Sequence, residues 1–228
     1  SDLQLLTDFN GDGQFEPFFV KGVGYAPIPI GQFFAQDTTW SGVCRYTGPY
    51  PLNYPDLRFE RDSPDAVGAF SCTNGSQFYT DLTALERDFS LIAAMHANTI
   101  RPWGKVTPQI LQKATEHGIK GIAGYWMNHN MDYTFPNTAV RQSYITDYVN
   151  YVTAIKNDPN YSAVLMWGLT NENNMNFCNP CYTHGGATCD PEAQAIGYYR
   201  LMNDMALAAA AAEGASAHPS MVDRKSVV

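Results

Sequence analysis

The chain has 228 residues, 45% of them hydrophobic and 13% aromatic, enough to bury a substantial core in one large domain or two small ones. Its 14 basic against 22 acidic side chains leave a formal charge of -8 at pH 7, which repels the phosphates of nucleic acids and of anionic lipid surfaces. No run without a charged or strongly polar residue, the Ala-rich Met205 to Ala212 included, comes near the roughly 20 residues that cross a bilayer, so neither a nucleic-acid partner nor a membrane span is expected.

Leu3 to Phe9 and Phe15 to Lys21 flank Asn10-Gly11-Asp12-Gly13, a turn sequence suited to a hairpin ahead of the main fold. Asp8, Asn10, Asp12, Gln14 and Glu16 mimic the first half of a calcium loop, but Phe19 stands where a bidentate acid is required, so the hairpin is the expectation and a metal is not. Val20 to Tyr25 reads as the first buried strand. From Ala26 to Thr80 the chain is rich in Pro, Gly, aromatic and Asp residues without a clear period; a loop this long is expected to wall a site.

Asp81 is placed to cap a helix in which Leu82, Leu85, Phe89, Ile92 and Met95 recur at helical spacing, and Asn98 to Arg101 follows as a strand. Thr107-Pro108 predicts the next helix start, Gly118 its end, and Ile119 to Tyr125 the third strand. A helix from about Thr138 to Lys156 stops before Pro159, and the apolar strand Ala163 to Leu169 follows. Asp190-Pro191 opens a last helix to about Glu213, and Pro219 to Val222 begins a fifth strand. Alternating strands and helices of this kind, in a single domain, build either an open doubly wound sheet or a closed eight-stranded barrel. No Gly-rich phosphate loop joins the first strand to the first helix. Polar and aromatic residues instead follow every strand: Tyr25, then Arg101 with Trp103, Trp126 with Asn128 and His129, and Asn171 with Glu172. The expected fold class is therefore α/β of the (β/α)8 TIM-barrel type, with only the first four to five βα units in this chain.

The strongest local pattern is Val164-Leu165-Met166-Trp167-Gly168-Leu169-Thr170-Asn171-Glu172, an apolar strand ending in an amide and a carboxylate. It resembles the fourth strand of the retaining glycoside hydrolases of clan A, especially families 2 and 5, where Trp-x-x-x-Asn-Glu presents the acid/base glutamate. Lys21-Gly22-Val23-Gly24-Tyr25, Asn98-Thr99-Ile100-Arg101 and Trp126-Met127-Asn128-His129 are similar to the first three strands of those enzymes, in the same order, so the resemblance spans about residues 15 to 222. It implies that Glu172 is the general acid/base, that Asn171 hydrogen-bonds the hydroxyl next to the reacting carbon, and that Arg101 orients the nucleophile. Asn128 or His129 would line the same subsite, and Tyr25, Trp103 and Trp126 are candidate sugar-facing aromatics.

Two carboxylates suffice for glycoside cleavage, so no cofactor or metal is expected. Enzymes of this clan carry the nucleophile at the end of strand seven, and a full barrel takes about 250 residues, so the chain is expected to be the N-terminal half of a larger enzyme. Its partners would then be an oligo- or polysaccharide substrate and either the missing half of the barrel or a second chain. A β-glucan transglycosylase, and a non-catalytic carbohydrate-binding fragment, are the alternatives.

No basic start ahead of an apolar stretch precedes the first strand, so a leader is not expected within the chain, which starts at Ser1. Five cysteines suggest an exported, disulfide-bonded protein, with Cys44 and Cys72 as one pair and another among Cys178, Cys181 and Cys189. The formal glycosylation acceptors Asn74-Gly75-Ser76 and Asn160-Tyr161-Ser162 agree with export. The late three, with His184, also match a zinc knuckle loosely or a redox Cys-x-x-Cys, but a disulfide in the loop after strand four is the simpler reading.

Overall fold

In a computed structural model, the chain is described at residues 6–7, 14, 16–26, 32–35, 42–46, 70–74, 80–102, 105–125, 127, 132–170, 190–214 and 217–222. Strands β1 (Leu6–Thr7) and β2 (Glu16–Pro17) pair antiparallel, Leu6 opposite Pro17, which is the hairpin the turn sequence predicts. After β3 (Gly22–Tyr25) the excursion to Thr80 differs from a plain loop. It contains β4 (Gln32–Ala35), β5 (Gly42–Tyr46) and β6 (Phe70–Asn74), an antiparallel sheet in the order β4-β5-β6. Strands of four or five residues are too short for an alternating pattern to stand out from their Pro-rich and Gly-rich surroundings.

The main unit follows the sequence closely. Helix α1 (Leu82–Ala94) is capped by Asp81, whose carboxylate accepts from the Thr83 and Ala84 amides at 3.0 and 3.3 Å. Strand β7 (Thr99–Pro102) leads to α2 (Pro108–Glu116), capped by the Thr107 hydroxyl with Pro108 in its first turn. Gly118, at φ +65°, turns the chain from α2 into β8 (Lys120–Tyr125). Helix α3 (Thr138–Lys156), a 3-10 turn at Tyr161–Ala163, β9 (Val164–Leu169), α4 (Pro191–Glu213) and β10 (Ser220–Val222) complete the described order.

Strands β10-β9-β8-β7-β3 form one five-stranded sheet, every neighbouring pair parallel. The order runs monotonically along the chain, without the reversal that creates the binding crevice of a doubly wound sheet. Crossovers of one hand in such an order put their helices on one face. Tyr25, Ile100, Ala123, Tyr125, Trp167 and Leu169 share one buried cluster with Phe89 of α1, Ile110 of α2, Tyr148 and Tyr151 of α3, and Tyr198 and Met205 of α4. Alternation then turns Gly22, Gly24, Arg101, Gly124 and Gly168 to the opposite face. Among the described residues, no helix is long and apolar enough to cross a membrane.

The centre of the core is aromatic. Trp167 meets Tyr148 and Tyr151 edge-on, with ring centroids 6.4 and 5.8 Å apart, and Tyr125 meets Tyr148 at 5.0 Å. Such pairs contribute about 0.5–1.5 kcal/mol each beyond the area they bury.

At the edge where the strands begin, Glu213 closes α4 with its side chain 1% exposed. It accepts hydrogen bonds from the Tyr161 hydroxyl and the His218 amide, and its Oε1 lies 2.9 Å from His218 Nδ1. Lys156 donates to the Ala212 and Glu213 carbonyls at 2.9 and 2.8 Å, so the end of α4, the approach to β10 and the approach to β9 are tied at one point. Burial pushes the Glu213 carboxyl up, but hydrogen bonds from His218 and Tyr161 outweigh it and hold the group below the ordinary 4.5. Glu213→Gln is expected to cost about 1–3 kcal/mol at neutral pH, measured by urea denaturation. Because the folded-state value is lowered, that difference is complete above the ordinary value of 4.5 and shrinks as the pH falls through the folded-state one.

Candidate functional site

Because the five strands are parallel, the chain leaves β3 at Tyr25, β7 at Pro102, β8 at Tyr125 and β9 at Leu169 on one and the same edge. The predicted residues Trp103, Trp126, Asn128, His129, Asn171 and Glu172 lie outside the described residues, as do Cys178, Cys181, His184 and Cys189. Arg101 and Tyr25 are described, and the structure separates them.

Arg101 is half-buried, between Thr99 and Pro102, on the face opposite Ile100. Its backbone partner is Gly24 of β3, where an added side chain would meet nothing within 4 Å. Arg101 thus belongs to the face opposite the described helices, close to the strand ends. Tyr25 lies on the other side of the sheet. Its ring is 6% exposed and meets Phe89 edge-on at 5.6 Å. Its hydroxyl donates to Asp88 Oδ2 at 3.1 Å, and Asp88 is also ion-paired with Arg87. The residue read as a sugar-facing aromatic is a support beneath the sheet, because alternation along β3 sends its side chain into the helix layer.

The segments that approach this edge are held from behind. The loop after β7 is fixed at Lys105 and Val106: Lys105 donates to Asp147 at 3.2 Å and lies over the Tyr125 and Tyr151 rings at 5.0 and 5.2 Å, while the Val106 amide donates to the Tyr151 hydroxyl. Tyr125 donates to the same Asp147 oxygen at 2.6 Å. That hydrogen bond, followed by the one from Lys105, holds the Asp147 carboxyl below the ordinary carboxylate range, while burial followed by Asp147 pushes the Tyr125 hydroxyl up.

The loop after β8 is clamped to α4. Buried Gln194 accepts from the Tyr133 amide at 2.7 Å and donates to Asp132 at 2.7 Å, and Tyr133 meets Tyr198 edge-on at 4.8 Å. Gly197 is the reason loop and helix come this close: an added Cβ would sit 1.9 Å from the Tyr133 carbonyl oxygen. At the end of β9 stands a residue that sequence reasoning missed. Thr170 is 4% exposed and adopts φ +66°, a left-handed conformation that β-branched residues avoid. Its amide donates to the Tyr125 carbonyl at 2.8 Å, and its hydroxyl lies 2.6 Å from that of Tyr198. Nothing in the sequence signals this, since a Thr after an apolar strand reads as ordinary strand end.

Among the described residues, no group of three or more His, Cys, Asp or Glu side chains could hold a metal ion. No family model matches the chain, and no curated protein matches it. Among solved structures it is similar to the β-glucuronidase of Parabacteroides merdae, at 18% identity and a TM-score of 0.44, over 63% of this chain and 16% of that one. It is similar to the Bacteroides uniformis β-glucuronidase at 17% identity and 0.47, over 62% and 16%. A GH2 β-galacturonidase from Eisenbergiella tayi, bound to galacturonate, matches at 18% identity and 0.37, over 61% and 21%. The match therefore covers about a sixth of the length of each β-glucuronidase.

The close approach of α4 to the loop after β8 gives a prediction of opposite sign to helix propensity. In an exposed helix Gly→Ala stabilises by about 1 kcal/mol. Gly197→Ala is instead expected to destabilise by about 1–3 kcal/mol, read as a lower urea midpoint at unchanged slope.

Proposed function

We propose that the chain is the first half of a (β/α)8 barrel that cleaves the O-glycosidic bonds of β-linked glycans with retention of configuration. The observation that carries this reading is direction: β3, β7, β8 and β9 are parallel and in sequential order, and each continues at one edge into the residues that resemble a glycosidase site. Glu172 protonates the leaving oxygen and then, as carboxylate, activates water against the glycosyl-enzyme. Asn171 holds the sugar hydroxyl beside the reacting carbon, where the hydrogen bond strengthens as positive charge develops. Arg101, on the face opposite the described helices, keeps the nucleophilic carboxylate ionised and oriented. Asn128 or His129 lines the same subsite, and Trp103 and Trp126 give flat faces to the sugar rings. The nucleophile comes from outside residues 1–228 or from a second chain.

Glycan binding tests the subsite directly. The folded chain is expected to bind β-linked oligosaccharides with Kd of about 1 mM or better by saturation-transfer NMR. Asn171→Ala and Arg101→Met each weaken binding about fivefold or more. The absence of binding to any neutral or acidic glycan by the folded wild type would sink the reading. Turnover of an aryl β-glycoside that Glu172→Gln leaves unchanged would remove Glu172 from its role. Glycan products longer than the substrate would favour the transglycosylase, and binding without turnover in the completed protein would favour a carbohydrate-binding module.

We also propose that the protein is exported and carries a Cys44–Cys72 disulfide. Cys44 and Cys72 are direct partners in the antiparallel pairing of β5 and β6. Residues so placed have Cα atoms about 4.5–5.5 Å apart, within the range a disulfide spans. Protein made in an oxidising compartment is expected to yield, without reduction, a crosslinked peptide containing both residues. Recovery of both as alkylated free thiols would refute the bond.

A further inference from the structure

We propose that Thr170 is a positioning residue, which sets the direction in which the chain leaves β9 ahead of Asn171 and Glu172; this rests on the acid/base role proposed for Glu172. Three residues other than glycine have positive φ among those described, namely His96, Phe135 and Thr170. His96 has an ordinary explanation: it ends α1, where the Ala97 amide returns to the Ile92 carbonyl in a helix-stop motif. Thr170 ends a strand, and a left-handed residue is not needed to end one. Residues in extended conformation have negative φ; at φ +66° Thr170 departs from the conformation of β9 at the point where the strand ends.

What holds Thr170 there is specific to its chemistry. The amide is tied to the Tyr125 carbonyl at the end of β8, so the turn is referenced to the neighbouring strand. The hydroxyl is tied to Tyr198 of α4, with Met202 Sδ at 3.9 Å. Glycine would take this conformation without steric resistance, yet it would remove the hydroxyl partner of a tyrosine that is itself buried. The chain keeps a disfavoured residue type at this point and holds it from two directions, the pattern expected where strain serves a site. Tyr198 also meets Tyr133 edge-on, so one side chain of α4 references both the end of β9 and the loop after β8.

The test is the titration of Glu172, followed by NMR of chain labelled at the glutamate carboxyl carbon and assigned by the signal lost in Glu172→Gln. Thr170→Ser keeps the hydroxyl and is expected to keep the wild-type midpoint. Thr170→Val and Tyr198→Phe, which each remove one side of the hydroxyl pair, are expected to shift the Glu172 midpoint by about half a pH unit or more. The signal of Glu213, at the opposite edge of the sheet, should stay in place. Unchanged Glu172 midpoints in both variants overturn the proposal. An equal movement of Glu213 also overturns it, since that reports general loosening rather than positioning. Failure of the glycosidase reading shows separately, as absent glycan binding by the wild type whatever Glu172 does on titration.

Discussion

The aromatic layer between the parallel sheet and α3 is the constraint on which the rest depends. Trp167 of β9 and Tyr125 of β8 present their rings to Tyr148 and Tyr151 of α3, all four 8% exposed or less. Large rigid rings in edge-on contact fix the distance between the layers and also the rotation of the helix over two strands. The same rings then act through their polar ends. Tyr151 receives the Val106 amide, and Tyr125 with Lys105 meets on Asp147, so the segment leading from β7 into α2 is held by side chains of β8 and α3. A core contact thus extends into a loop that belongs to the candidate site.

A second aromatic system, on α4, works at the other side of the edge. Tyr198, Gln194 and Gly197 lie within one turn of that helix and touch the end of β9 and the loop after β8 by three different means. Tyr198 offers a hydroxyl, Gln194 an amide that satisfies two polar groups, and Gly197 the absence of a side chain. The two ends of the sheet consequently differ in character. At the edge where strands begin, a buried carboxylate, a lysine and a histidine bind helix and strand together, which is the behaviour of a stability face. Where strands end, a strained threonine and a half-buried arginine stand beside helix-anchored loops.

Much of the fold was legible because its elements carry local punctuation. Asp81, Thr107-Pro108 and Asp190-Pro191 open the three helices at the expected residues, and α3 runs over the predicted Thr138–Lys156. Capping requires only neighbours in the sequence, so these signals survive without knowledge of the tertiary structure. The small antiparallel sheet between residues 32 and 74 was not legible, since its strands are short and their pairing joins residues far apart in the chain. For the candidate site, the strand order and the common exit edge could be anticipated. The side of the sheet on which a given residue lies could not: Tyr25 and Arg101 both read as mouth residues, and alternation within four-residue strands sends Tyr25 into the helix layer.

Sequence alone determined the alternation of the five parallel strands with their helices, the limits of those elements to within a residue or two, and the set of residues that follow each of those strands. These depend on periodicity and capping, both short-range. Only the tertiary structure decided that Tyr25 supports the sheet from beneath, that Gly197 exists for a loop sixty-odd residues earlier, and that Thr170 is held left-handed by Tyr125 and Tyr198. Each of these is a relation between residues distant in the chain, set by which atoms the packed layers bring within reach, and no local pattern encodes such a distance.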